Sequence, residues 1–170
     1  MIRSRTEKLA ACAVFVALAM ILSYVESLVP YFFAVPGMKL GLTNLVVVYT
    51  LYLFGNKEAF IINIVRIILV GFMFGHAFSI IYSMAGGILS FVVMYFLKKT
   101  NGFSVMGVSM AGGVFHNVGQ ILVAALVLKS FSISWYLPPL MISGLITGFL
   151  IGIISNETMK RTAKLFREKK

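Results

Sequence analysis

The chain has no aspartate, one cysteine and only five carboxylates, all of them glutamate, in 170 residues. Glu7, Glu157 and Glu168 fall in basic terminal stretches and Glu58 in a short loop, which leaves Glu26 as the one carboxylate near a prospective cavity. Magnesium-assisted diphosphate chemistry needs several carboxylates to hold the ion. This chain is therefore not expected to be an enzyme, and no metal site or cofactor is expected in it. The lone Cys12 rules out an internal disulfide and a cysteine-rich metal or iron–sulfur site. There is no Gly-x-x-x-x-Gly-Lys loop for ATP, no long-range repeat and no low-complexity linker.

What the chain does have is apolar length. Hydrophobic residues make up 60% of it, and the mean hydropathy is +0.98. Six stretches, roughly 9–28, 39–54, 58–75, 77–97, 105–128 and 137–154, are nearly free of charge. A helix needs about 20 apolar residues to cross ~30 Å of hydrocarbon, and 39–54 is the shortest of the six. The expected fold is an all-α integral membrane bundle of six transmembrane helices over 1–157, followed by a basic cytoplasmic segment, 158–170. Its expected place is a cell membrane, multi-pass, as in a bacterial inner or plasma membrane.

The net charge is +10, but its distribution points to a membrane rather than to nucleic acid. With the N-terminus in the cytoplasm, every Lys and Arg except Lys39, Lys129 and Arg66 falls on the inner side. That asymmetry predicts both termini inside, and an even number of spans agrees with it. The basic C-terminal segment suits the anionic lipids of the inner leaflet.

Polar groups inside the apolar stretches are the candidate functional residues. Arg66 is the only charge near mid-membrane, and facing lipid would cost it at least ~2.5 kcal/mol. It must face backbone carbonyls, a ligand or a partner subunit. Asn44 puts an amide near the start of the second stretch, and Asn63 precedes Arg66 by one turn. The fifth stretch carries His116, Asn117 and Gln120 among four glycines. His116 and Gln120 are one turn apart and share a face, with Asn117 one position round. A buried hydrogen-bond network and a polar ligand pocket both fit that trio. His76 lies at the outer mouth. Loop 29–38, with two prolines and three aromatics, fits an interface anchor or a lid over the bundle. In the first stretch, Ala13 and Ala17 let another helix approach one face closely. In the last stretch, Gly144, Gly148 and Gly152 form a close-packing stripe at spacing four.

Several segments carry a family resemblance: Gly37-Met-Lys-Leu-Gly-Leu-Thr-Asn-Leu-Val, Leu51-Tyr-Leu-Phe-Gly, Arg66 within Asn-Ile-Val-Arg-Ile, Ser83-Met-Ala-Gly-Gly-Ile-Leu-Ser and Gly113-Val-Phe-His-Asn-Val-Gly-Gln. In order and over nearly the whole chain, they resemble the Gx transporter family, whose older name is heptaprenyl diphosphate synthase component I. That family is similar to the substrate-capture (S) components of energy-coupling-factor importers. The resemblance implies a six-helix, N-in/C-in bundle that binds a small vitamin-like or isoprenoid-like molecule under loops 29–38 and 71–77. It places the pocket also under the outer halves of the fourth to sixth stretches, and the candidate ligand contacts read from the residues themselves are His116, Asn117, Gln120, Arg66, His76, Asn44 and Glu26. It also implies docking through Ala13 and Ala17 to a transmembrane coupling subunit that works with ATPase subunits. No residue set here is diagnostic of one vitamin. Two other roles are implied by relatives and by the older name. One is a scaffold for an extracytoplasmic flavinylated partner in extracellular electron transfer. The other is a non-catalytic accessory to prenyl diphosphate synthesis.

Overall fold

The computed structural model describes residues 5–28, 41–74 and 77–168, apart from the side chains of 27, 131 and 163–168. The described residues form six α-helices and a 3-10 helix, with no strand. The helices are α1 (Arg5–Leu28), α2 (Asn44–Leu53), α3 (Asn56–Phe74), α4 (Ala77–Lys99), α5 (Val105–Leu128) and α6 (Leu137–Glu168), and the 3-10 helix is Phe131–Tyr136. Loop 29–38 and His76 lie outside the described residues.

Four segments are long and apolar enough to cross a membrane: Arg5–Glu26, Ala77–Lys99, Val105–Leu128 and Ser132–Thr162. α3 has the length but carries Lys57, Glu58 and Arg66. α2 departs from the expected span 39–54. It starts at Asn44 and has ten residues, a rise of about 15 Å, half the depth of a bilayer core. The reason lies just before it. Gly41 has φ +73°, in the left-handed region, and its carbonyl accepts the Asn44 N–H at 2.8 Å in a tight turn. Hydropathy reports the apolar run but not this turn. Because α2 is short and apolar all round, it is enclosed, with Val46 through Leu51 all buried.

Contacts along the helices show that each runs antiparallel to the one before. Ser23 of α1 meets Thr43 beside the start of α2, and Phe15 packs on Tyr49 and Phe54. Lys8 pairs with Glu58, and the Tyr24 ring packs at a tilt on Phe74, so α1 and α3 run parallel. Asn63 and Phe60 of α3 meet Gly87 and Phe91 of α4. Gly119 and Gly112 of α5 meet Ala85 and Met94 of α4, and Gly113 of α5 meets Gly144 of α6. The start of α1 and the far end of α6 therefore share one end of the bundle. That end holds Lys8, Lys57, Lys98, Lys99, Lys160 and Arg161.

The main core gathers Val47, Val48 and Leu51 of α2 with Ala59, Phe91, Met94, Val108 and Ile151 from four other helices. A smaller cluster joins Ala19 of α1 to Val46 and Ile62. Large apolar side chains cover the outside, among them Leu9, Phe72, Leu126 and Trp135. An apolar exterior over a polar-containing interior is the pattern expected where lipid is the solvent.

α5 is the centre of the C-terminal half. It is capped by Ser104, whose hydroxyl accepts the Gly107 N–H at 3.2 Å. Its adjacent glycines face different neighbours. A methyl on Gly112 would collide with Met94 of α4, and one on Gly113 with the Gly144 carbonyl oxygen of α6. α4 uses the same device: Gly86 faces α5, while Gly87 faces Ile67 and Asn63 of α3. Adjacent residues on a helix are turned by about 100°, so a glycine pair admits one close neighbour on each side.

Candidate functional site: polar groups on both sides of the Gly86–Gly87 pair

Arg66 is buried on α3, one turn beyond Asn63, and the two side chains share a face. Nε and Nη2 of Arg66 donate to Asn63 Oδ1 at 3.0 and 2.8 Å, and Nη2 also donates to Asn44 Oδ1 at 3.2 Å. Asn63 Nδ2 in turn donates to the Gly87 carbonyl at 3.0 Å. One guanidinium and two amides thus tie α2, α3 and α4 together. Charge-assisted hydrogen bonds of this kind are worth about 1.5–3 kcal/mol each. The described acceptors of Arg66 are side-chain oxygens, not the backbone carbonyls that a simple helix clamp would use.

Glu26 completes the cluster. It attracts Arg66 electrostatically, and Oε1 accepts the Gly41 N–H at 2.5 Å. Ser23 and Thr43 share a hydrogen bond of 2.8 Å close by. These two contacts close the base of the α1–α2 connection. Three expected residues, Arg66, Asn44 and Glu26, are therefore brought together at the end of the bundle opposite the basic one. Glu7, Glu58 and Glu157 all lie at the basic end, so the carboxylates are divided between the two ends. Asn63 is the linchpin that sequence reasoning left out of the site. Its signal was available, since a polar residue three positions before a buried arginine lies beneath it.

On the far side of α4, the α5 trio divides. His116 and Gln120 both lie against Gly86: a methyl there would stand 2.8 Å from Gln120 Cγ and 3.2 Å from His116 Cε1. Asn117 turns the other way, and Nδ2 donates to the Leu140 carbonyl of α6 at 2.7 Å. The amide of Gln120 has no hydrogen-bond partner at either atom among the described residues, although the residue is only 1% exposed. The hydroxyls of Ser90, Ser109 and Ser155 share that condition. Each such group costs about 1–3 kcal/mol if nothing replaces the lost water.

Ala13 and Ala17 are exposed on α1, in a face that also bares Val14, Leu18 and Ile21. Within the described residues α1 packs only on α2 and α3, leaving this face uncovered by the chain. Lys8 near the start of α1 pairs with Glu58 near the start of α3. No three His, Cys, Asp or Glu side chains converge on a point among the described residues.

Among the described residues, helices with an apolar exterior around a buried arginine cluster fit a membrane protein with a polar interior. Residues 15–158 match the family model described as heptaprenyl diphosphate synthase component I, and the chain belongs to that family. Its description as one component implies a partner component in a multi-subunit system. Searches of curated proteins and of solved structures gave no match.

Proposed function

We propose that this protein is the membrane-embedded, non-catalytic capture subunit of an importer of the energy-coupling-factor type. The chain would cross the bilayer six times, with both termini on the same side. The basic end of the bundle would lie in the cytoplasm, as positive-inside asymmetry requires. The opposite end, with Glu26, Asn44 and Arg66, would then open to the exterior. The observation that carries this reading is the Arg66 cluster: a buried charge held by two asparagines and balanced by a glutamate inside a lipid-facing bundle. A pure packing device would be made more economically from apolar side chains. The ligand would be small, partly apolar and hydrogen-bonding, as the resemblance to vitamin- or isoprenoid-binding subunits suggests. His116 and Gln120 supply further polar groups across α4.

Energy for release must come from another chain, and the bare face of α1 around Ala13 and Ala17 supports a transmembrane coupling subunit there. Small residues let two helix backbones approach, which is the main route to helix association in lipid. Affinity purification from native membranes tests this. The wild type should bring down a transmembrane subunit and ATPase subunits, and Ala17→Trp should lose them at least tenfold while remaining folded. Recovery of the wild type alone, under conditions that keep known importers assembled, would reject the proposal.

The family description favours one further reading, an accessory that holds a prenyl-transferring partner at the membrane. In that case the co-purified partner would be a soluble, carboxylate-rich synthase chain instead of ATPase subunits. The same purification separates the two.

A further inference from the structure

We infer that a file of bound water runs through the α4–α5–α6 seam, linking Gln120, Ser90, Ser109 and Ser155. It is a site separate from the Arg66 cluster and does not depend on the importer reading. The inference starts from a contrast. In the N-terminal half, the buried polar side chains Thr43, Thr50, Asn63 and Arg66 all have protein hydrogen-bond partners. In the C-terminal half, Asn117 is bonded to the Leu140 carbonyl, but the four named residues are 0–3% exposed and their polar atoms have no partner among the described residues. Buried polar groups that lack protein partners are the usual seats of structural water, which bonds two to four such groups at once.

The four are arranged in sequence across the membrane. Gln120 sits against Gly86, with His116 one turn below it on the same face of α5. One more turn down is Gly112, where Ser90 Oγ of α4 lies 3.3 Å from the place a methyl would take. Ser109 follows one turn below, its Cβ 3.2 Å from the corresponding place on Gly152 of α6. Ser155 lies one turn beyond Gly152, which itself stands against Met106. At 1.5 Å per residue the file is about 25 Å long, most of the ~30 Å hydrocarbon depth. By the same rise the backbone steps are about 12 Å from Gln120 to the level of Ser90, about 5 Å on to Ser109 and about 8 Å to Ser155, gaps that one to three waters bridge.

Met94 fills the space beside Gly112, its Sδ standing 2.5 Å from the methyl place there, so water passes that level when the Met94 side chain moves. A thioether chain with three rotatable bonds moves aside without shifting a backbone. Gly86 adds no side chain to the path. Water reaching this depth would also give His116, the titratable group on that face, a route for proton exchange with the aqueous phase.

Cysteine accessibility tests the file in the full-length protein in nanodiscs. In a Cys12→Ser background, Ser90→Cys and Ser109→Cys would be exposed to 2-aminoethyl methanethiosulfonate, which attacks only hydrated thiolates. Val108→Cys, equally buried and next to Ser109, is the dry control. Reaction at 90 and 109 at least tenfold faster than at 108 is expected; equal, slow rates at all three overturn the inference. Gln120→Leu gives an independent check that needs no labelling. An amide bonded to water gains nothing from becoming apolar, so the unfolding temperature should stay level or fall. A rise of several degrees would mean that the amide is unsatisfied in a dry seam, and would also overturn it.

Discussion

Helices α1–α3 are joined by side chains, and α4–α6 by backbones. On the N-terminal side, the joints are the Arg66–Asn63–Asn44 cluster, Glu26 on Gly41, Ser23 on Thr43 and the Phe15 ring on Tyr49 and Phe54. On the C-terminal side, Gly113 and Gly144 touch main chain to main chain, as do Gly148 with Met110 and Gly152 with Met106. The two halves also differ in enclosure. The most apolar window of α1 is 6% buried, whereas that of α5 is 39% buried. In lipid, apolar surface alone gives helices no reason to associate, so each half needs a specific adhesive. Hydrogen bonds between long side chains can be broken and remade as helices shift. Backbone contact at glycine holds only at one spacing. The N-terminal half is therefore held by joints that can rearrange, and the C-terminal half by joints that fix one spacing.

That contrast can be broken most severely at Arg66. Arg66→Met should destabilise the protein by about 3 kcal/mol or more, because it strands the amide oxygens of buried Asn63 and half-buried Asn44 and removes the counter-charge to Glu26. Denaturant titration in mixed micelles measures this. Arg66→Lys should recover only part of the loss, since an ammonium cannot reproduce the fork that reaches both asparagines. A neutral outcome for Arg66→Met would show that side-chain joints do not hold the N-terminal half.

Next in size is Gly113→Ala. A single methyl must push α5 from α6, and a loss of about 1–3 kcal/mol is expected. Gly107→Ala sharpens the test. A methyl there meets only ordinary contacts, at 3.7–3.8 Å, so the gain in helix propensity should stabilise by up to about 1 kcal/mol. If both substitutions behave alike, the glycines matter for backbone flexibility and not for contact.

The smallest effect is expected at the Lys8–Glu58 pair. Both side chains are partly exposed, so Lys8→Ala should cost no more than about 1 kcal/mol, and added salt should erase most of it. A large, salt-resistant loss would place α1 among the rigid elements and remove the distinction between the halves.

Much of this was legible in the sequence. The uncharged runs gave α5 at its observed limits and α4 within two residues at its C-terminal end. The Gly144–Gly148–Gly152 spacing announced a close-packed seam. The cost of a charge in lipid required Arg66 to face inward, and it does. Other features depend on information that one chain's pattern does not carry. The truncation of α2 depends on the left-handed Gly41, which hydropathy does not register. The separation of Asn117 from Gln120 depends on which helix lies on each side of α5. The meaning of the two glycine pairs emerges only once each is seen to face two neighbours. Asn63 was visible one turn below Arg66 but is distinguished only by reaching the Gly87 carbonyl.

The most direct test of the capture reading is native mass spectrometry of the protein released from nanodiscs made with its native membrane. The wild type should carry a bound small molecule that is absent from Arg66→Met, while Ala17→Trp keeps it. If wild type and Arg66→Met release the same masses, with no non-lipid molecule retained, the Arg66 cluster is a structural joint and the protein is not a capture subunit.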